Sequence, residues 1–234
     1  MAVARTVIER NLRLVRERIA IAAQRAGRDP AAVTLVAVAK TVGLEEIKAL
    51  YDLGQRDFGE NRVQQGVERV RATADLPARW HMIGHLQRNK VKPALEAFGL
   101  IHSVDSERLA AEIDRRAAER GEIRDVLLEV NISGEDSKHG LSPVNVPSQL
   151  TAISSFTHVR VTGLMTMAPY GIPADAVRPI FRQLRKMRDN LQVRFPNLQH
   201  LSMGMSQDYE IAVEEGADFV RVGTALFTEV TIGT

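Results

Sequence analysis

The chain contains no cysteine. This excludes disulfides, thiolate nucleophiles and cysteine-ligated metal centres, and it fits a reducing compartment. An excess of either charge is lacking too: 31 Lys and Arg stand against 29 Asp and Glu, a formal net charge of +2. That balance gives no electrostatic reason for nucleic acid or an anionic membrane to be the main partner. No apolar run is long enough to span a bilayer; the longest, residues 31–39, is interrupted by Thr34. The opening MAVARTVIERN carries charges where a signal peptide needs its apolar stretch. A soluble, cytoplasmic protein with no membrane partner is therefore expected. Low-complexity tracts, linkers and short-period repeats are missing as well, so residues 1–234 read as one domain.

What the chain does contain is alternation. Ile8, Leu12, Val15, Ile19, Ala22 and Ala26 recur at helical spacing, and Gly27 and Pro30 end that first helix. Short apolar runs follow at 34–39, 57–59, 80–83, 100–104, 126–130, 159–164, 200–203 and 219–222. Between them lie stretches rich in Ala, Leu, Glu and Arg, at 44–53, 62–73, 106–120, 174–193 and 207–215. Strand followed by helix, repeated, implies right-handed crossovers and a parallel sheet. Eight such units without a long linker predict an α/β fold, a single closed (β/α)8 barrel of the TIM type rather than an open doubly wound sheet.

Sites in such barrels lie at the carboxyl ends of the strands. The first run, TLVAVA, ends in Lys40. A lysine at the mouth of an apolar strand is expected to be partly desolvated, which disfavours its charge and leaves an amine suited to Schiff-base chemistry. The alternative is a strand-end lysine whose ammonium reaches water. The last two loops bear on that choice. Ser202-Met-Gly-Met-Ser206 leads towards a helix with Ser206 as its expected N-cap, and Gly223-Thr224 follows the final run. Glycines let backbone N–H groups approach an anion, and barrels frequently bind phosphate after strands seven and eight. A lysine nucleophile with a phosphate cradle fits pyridoxal phosphate, or the sugar-phosphate substrate of a Schiff-base aldolase. Arg221, in an otherwise apolar run, either faces a pyridine nitrogen from the barrel mouth or pairs with a carboxylate. His81 and His85 lack the acidic residue of a helical zinc motif, and no metal is assigned. His81 reads as structural and His85 as lining the site. His139 and Lys138 fall in a polar loop, and Met165, Met167, Met203 and Met205 read as packing residues.

Together these segments resemble the pyridoxal phosphate homeostasis proteins, relatives of the amino-terminal barrel of alanine racemase. The resemblance runs over nearly the whole chain. It rests on VAVAKTV at 36–42, FGENRVQ at 58–64, WHMIGHLQRNK at 80–90, HSVDS at 102–106, VNISGEDSKHG at 130–140, GLMTMAP at 163–169, LSMGMSQD at 201–208 and RVGTALF at 221–227. It implies pyridoxal 5′-phosphate (PLP) held as a Schiff base on Lys40, with Asn61 beside the ring and Ser206, Gly223 and Thr224 around the phosphate. It further implies a role in balancing free PLP and amino- or keto-acid pools, with no robust turnover; direct handover to apo-enzymes of PLP, as partners, is one hypothesis for how. Gln65, Arg88, Asn145, Pro147 and Thr228 depart from the family pattern, all outside the implied site. Two other functions compete. A racemase-like enzyme needs a second acid–base group on the opposite face of the substrate; alanine racemase takes it from a second domain, and this chain stops at Thr234. An aldolase would account for Lys40 and the phosphate loops but not for the other segments. With the barrel complete in one chain, a monomer is expected.

Overall fold

The computed structural model describes residues 3–135 and 139–228. The strands are β1 (Thr34–Val38), β2 (Asp57–Glu60), β3 (Arg79–Met82), β4 (Leu100–Val104), β5 (Arg124–Glu129), β6 (Val159–Met165), β7 (His200–Ser202) and β8 (Phe219–Val222). Each pairs in parallel with the next, and β8 closes on β1. The expected closed eight-stranded barrel is the observed one.

Helices separate the strands. They are α1 (Arg5–Arg25), α2 (Leu44–Asp52), α3 (Val63–Ala72), α4 (Val91–Ala97), α5 (Glu107–Ala118), α6 (Val146–Ile153), α7 (Ala174–Gln192), α8 (Tyr209–Glu214) and α9 (Thr224–Phe227). The face of α1 read from its spacing is buried: Ile8, Leu12, Val15, Ile19 and Ala22. It packs against α2, α8 and α9, and Asn11 ties it to the last helix by donating to the Leu226 and Thr228 carbonyls. Gly27 ends it with φ +66. No helix among the described residues is long and apolar enough to cross a membrane.

Two layers of apolar residues hold the barrel. Alternate strand residues such as Leu35, Ala37, Phe58 and Leu128 face the helices and join one continuous core. The others fill the interior: a Cβ at Gly59 would lie 2.9 Å from Ile83 Cδ1 and 3.0 Å from Val36 Cγ1, so these residues share a layer. Gly163 is the tightest crossing between strands. A Cβ there would meet the His200 carbonyl oxygen of β7 at 2.1 Å. Neither backbone can retreat without breaking the β6–β7 ladder, where Gly163 pairs with His200.

Gly163→Ala is therefore expected to destabilise the protein by about 2 kcal/mol or more, lowering Tm by roughly 4–8 °C. Gly99→Ala places its Cβ 4.0 Å from the Trp80 carbonyl and is expected to stay within about 0.5 kcal/mol. Thermal unfolding of the pair checks this; equal shifts would mean that the close approach does not constrain the barrel.

Candidate functional site

Lys40 follows the last buried residue of the first strand, Ala39, and is exposed. The partial desolvation expected of it is not found, because β1 ends at Val38 and the lysine stands clear of the barrel wall. Its turn is nevertheless fixed. Arg69, from α3, donates to the Ala39 carbonyl on one side of the turn and to the Val42 carbonyl on the other. The same guanidinium pairs with the fully buried Glu60. Glu60 in turn accepts from the backbone N–H of Asn61 at 2.6 Å and of Arg62 at 3.3 Å. One ion pair thus joins the loop carrying Lys40 to the loop carrying Asn61.

The Asn61 backbone lies against Gly84, where a Cβ would come 2.4 Å from the Asn61 carbonyl oxygen. Its side-chain Oδ1 is buried with no hydrogen-bond partner. A buried acceptor left unpaired is unfavourable by about 1–3 kcal/mol, and it suits a site that receives a donor from a ligand.

Across the mouth, Ser206 is not a helix N-cap. Asp208 takes that place, in front of α8, and its carboxylate accepts from the Met205 N–H at 2.5 Å. Ser206 Oγ is thereby free to accept from the backbone N–H of Gly223 at 3.2 Å and of Ala225 at 3.3 Å. These long bonds leave two backbone donors and a hydroxyl gathered at one point, the donor set a phosphate requires. Thr224 is exposed beside them. The Gly223 backbone sits over β1: its Cβ would lie 3.3 Å from Val38 Cβ, two residues before Lys40.

Arg221 is buried inside the barrel. It donates to Ser202 Oγ and, at 2.9 Å, to the Thr166 carbonyl. Of the two placements the sequence allows, it does not form an ion pair with any described residue; Glu129 and Asp208 act on it only at longer range. Burial pulls its pKa down to about 10 against the pull of those carboxylates, so it stays charged at neutral pH. Burial raises both carboxyls, while Arg221 opposes the rise.

Reading the sequence does not reveal how far this polar contact extends. Ser202 Oγ lies 2.8 Å from His102 Nδ1. His102 Nε2 lies 3.0 Å from His81 Nδ1. His81 Nε2 lies 3.1 Å from Asp57 Oδ1. Asp57 is also gripped through two bonds by Arg79, at 2.7 and 2.6 Å. Polar residues within otherwise apolar strands were the available signal. His81 is structural as expected, as one link of this chain.

At the mouth, His85 lies 3.3 Å from Asp105 and stacks on His139, ring centroids 4.0 Å apart and planes 14° from parallel. Three possible metal ligands meet here. The stacked rings direct their lone pairs along separate planes, so the two imidazoles do not converge on one ion as arranged. Lys138 lies outside the described residues. Met165 and Met203 are buried as expected.

A family profile described as alanine racemase, N-terminal domain, matches residues 10–230. The pyridoxal phosphate homeostasis protein of Aquifex aeolicus is 46% identical over 216 residues, 92% of this chain and 95% of that protein. A structure of PipY from Synechococcus elongatus with PLP bound superposes with a TM-score of 0.80 at 39% identity, covering 92% of this chain and 100% of that one. An alanine racemase of Clostridium difficile shares the fold at a TM-score of 0.74 and 14% identity, with 94% of this chain matching 57% of the racemase.

The interior chain makes stability depend on pH. His102 is fully buried, beside His81 and Arg221, with Phe219 against its ring. Burial first, then those two neighbours, pushes its pKa well below the ordinary 6.5. Below pH 6.5 the unfolded chain takes up a proton that the folded one refuses, so stability falls as pH falls. The slope attributable to His102 reaches at most about 1.4 kcal/mol per pH unit. Urea unfolding between pH 7 and pH 5 is expected to show this slope in the native protein and a shallower one in His102→Gln. Identical slopes would show that His102 titrates normally in the fold.

Proposed function

Because the chain belongs to the pyridoxal phosphate homeostasis protein family, we propose that it binds PLP at the barrel mouth and regulates the free pool of that cofactor. The observation that carries this reading is the full-length match to PipY, a protein seen with PLP bound. The residues of this chain fit the group. Asn61 Oδ1 is an unpaired buried acceptor, and Ser206 with the Gly223 and Ala225 N–H groups forms an anion-binding set. Lys40 is the amine that would bond to the cofactor's aldehyde carbon. Ser206, Gly223 and Thr224 would hold its phosphate, and Arg221 would face its ring nitrogen.

When bound, PLP supplies an electrophilic aldehyde and an electron-withdrawing ring. The protein's part is to bind and orient it. The Arg69–Glu60 pair holds the Lys40 and Asn61 loops in register. Arg221, charged at neutral pH, can donate a hydrogen bond to a ring nitrogen but is a poor source of a proton for it. The ring then stays a weaker electron sink than a protonated one. We take the protein to act as a cytoplasmic monomer that delivers PLP to apo-enzymes and has no robust turnover of its own.

Purified protein mixed with PLP is expected to gain a visible absorption band that borohydride bleaches, with the fixed label mapping to Lys40. Lys40→Ala is expected to lose the fixed label and keep weaker, phosphate-anchored binding. Unchanged labelling of that variant would mean that another lysine is the attachment point. Delivery is checked separately. The loaded protein is expected to activate an apo-enzyme of PLP faster than an equal concentration of free PLP; equal or slower activation would remove the carrier role.

A further inference from the structure

We propose that His81, His102 and Ser202 are positioning residues that hold Arg221 in one orientation for the cofactor ring, through a hydrogen-bond chain anchored on Asp57 at the other end of the barrel interior. The proposal rests on the reading of the mouth as a PLP site and adds to it a device inside the barrel.

The two ends dictate the direction of the chain. A guanidinium can only donate, and an ionised carboxylate can only accept. Asp57 is held below the usual carboxylate range by its bonds from His81 and Arg79, against the opposing effect of burial. His81 must therefore carry its proton on Nε2, facing Asp57. If His81 is neutral, its Nδ1 accepts from His102 Nε2–H. If His102 is neutral, its Nδ1 accepts the Ser202 hydroxyl, whose oxygen then accepts from Arg221. Every link donates towards Asp57. A proton added to His81 would set two N–H donors facing each other across the 3.0 Å contact between the rings, and one added to His102 would turn a donor onto the Ser202 oxygen and leave the Ser202 hydroxyl without its acceptor.

The chain thus turns lone pairs, the negative side of each group, towards Arg221. This favours its charge in the buried interior and fixes the plane of its guanidinium together with the Thr166 carbonyl. The donors that Arg221 does not use here are the ones left for a ligand. The other charged groups along the chain are Arg79, which binds Asp57 at one end, and Glu129 and Asp208, which act on Arg221 at the other. Phe219 closes the apolar side, with its ring 5.9 Å from that of His81 and 5.4 Å from that of His102. At its far end the chain meets a cleft of about 350 Å³ lined by Asp57, Arg79, Arg16 and Arg56.

The test has an arm without cofactor and an arm with it. Nitrogen NMR of the imidazoles in the protein free of PLP is expected to show both rings neutral with the proton on Nε2 at pH 7. A charged ring, or a proton on Nδ1 of either, overturns the chain whatever the protein binds. In the PLP-loaded protein, Ser202→Ala is expected to shift the visible band of bound PLP and to weaken its binding about tenfold, the loss of one hydrogen bond to a charged group. Asp57→Asn, which keeps an acceptor for His81 but removes the charge, is expected to shift the band in the same direction and serves if Ser202→Ala folds poorly. Thr73→Val removes an equally buried hydroxyl outside the barrel and should leave the band unmoved. An unshifted band and unchanged affinity in both chain variants would overturn the proposal. Failure of the native protein to bind PLP would instead sink the function proposed above, and the NMR result would still decide the chain.

Discussion

A charged guanidinium inside a closed barrel is the constraint around which the interior is arranged. Taking such an ion out of water costs several kcal/mol even after relaxation, and Arg221 is 3% exposed. A neighbouring carboxylate at ion-pair distance is the usual compensation. Here the nearest described carboxyls, Glu129 and Asp208, act at longer range and are themselves raised by burial. The direct partners are instead a hydroxyl and a carbonyl, from Ser202 and Thr166. A hydroxyl partner works only if its own proton is directed elsewhere, and His102 provides that acceptor. The rest of the chain follows from the need to satisfy each group in turn down to Asp57, where Arg79 brings the charge close to solvent with a side chain 68% exposed.

The mouth is built on the opposite logic. Its residues lie on loops, which a barrel leaves free to vary while the strands fix where they begin. Loops alone would position Lys40 poorly, since a long exposed side chain has many rotamers to lose on binding. Arg69 removes part of that freedom from the backbone by bracketing the turn at Ala39 and Val42, and Glu60 transfers the same constraint to Asn61. Two loops after adjacent strands thereby behave as one unit. The third contributor, the Ser206–Gly223 set, reaches that unit through the close contact of Gly223 with Val38.

The sequence makes the barrel legible because its signal is local. Apolar runs and helical spacing mark the eight strands and the longer helices, with boundaries shifted by a residue or two. Helices α4 and α6 escape that reading for physical reasons. Each carries a proline near its start, Pro93 and Pro147, and a proline reads as a break in a helical pattern. At the mouth, parallel topology alone locates Lys40, Asn61, Ser206 and Gly223 after their strands. Ser206 is misjudged as an N-cap because the helix begins at Tyr209, three residues on, and the Ser206 hydroxyl accepts from the Gly223 loop instead. The interior chain is legible only as polar residues in apolar strands, not as a connected chain. His102 and Ser202 are 100 residues apart, and their meeting depends on barrel closure and strand register rather than on any spacing.

The interior and the mouth meet at Arg221, and in the proposed role this bears on how the protein would hold PLP. Taking a proton from carbon is assisted when the ring nitrogen draws electron density strongly, as it does when protonated. A charged arginine beside it offers a hydrogen bond and retains its own proton, so the ring accepts electrons less readily. The chain to Asp57 reinforces that outcome, because each lone pair turned towards Arg221 makes the guanidinium harder to deprotonate. Bonding of an aldehyde to a lysine and its release need no such sink. In the proposed role, the interaction that lets the barrel bury an ion is therefore the same one that would set the electronic state of the cofactor ring.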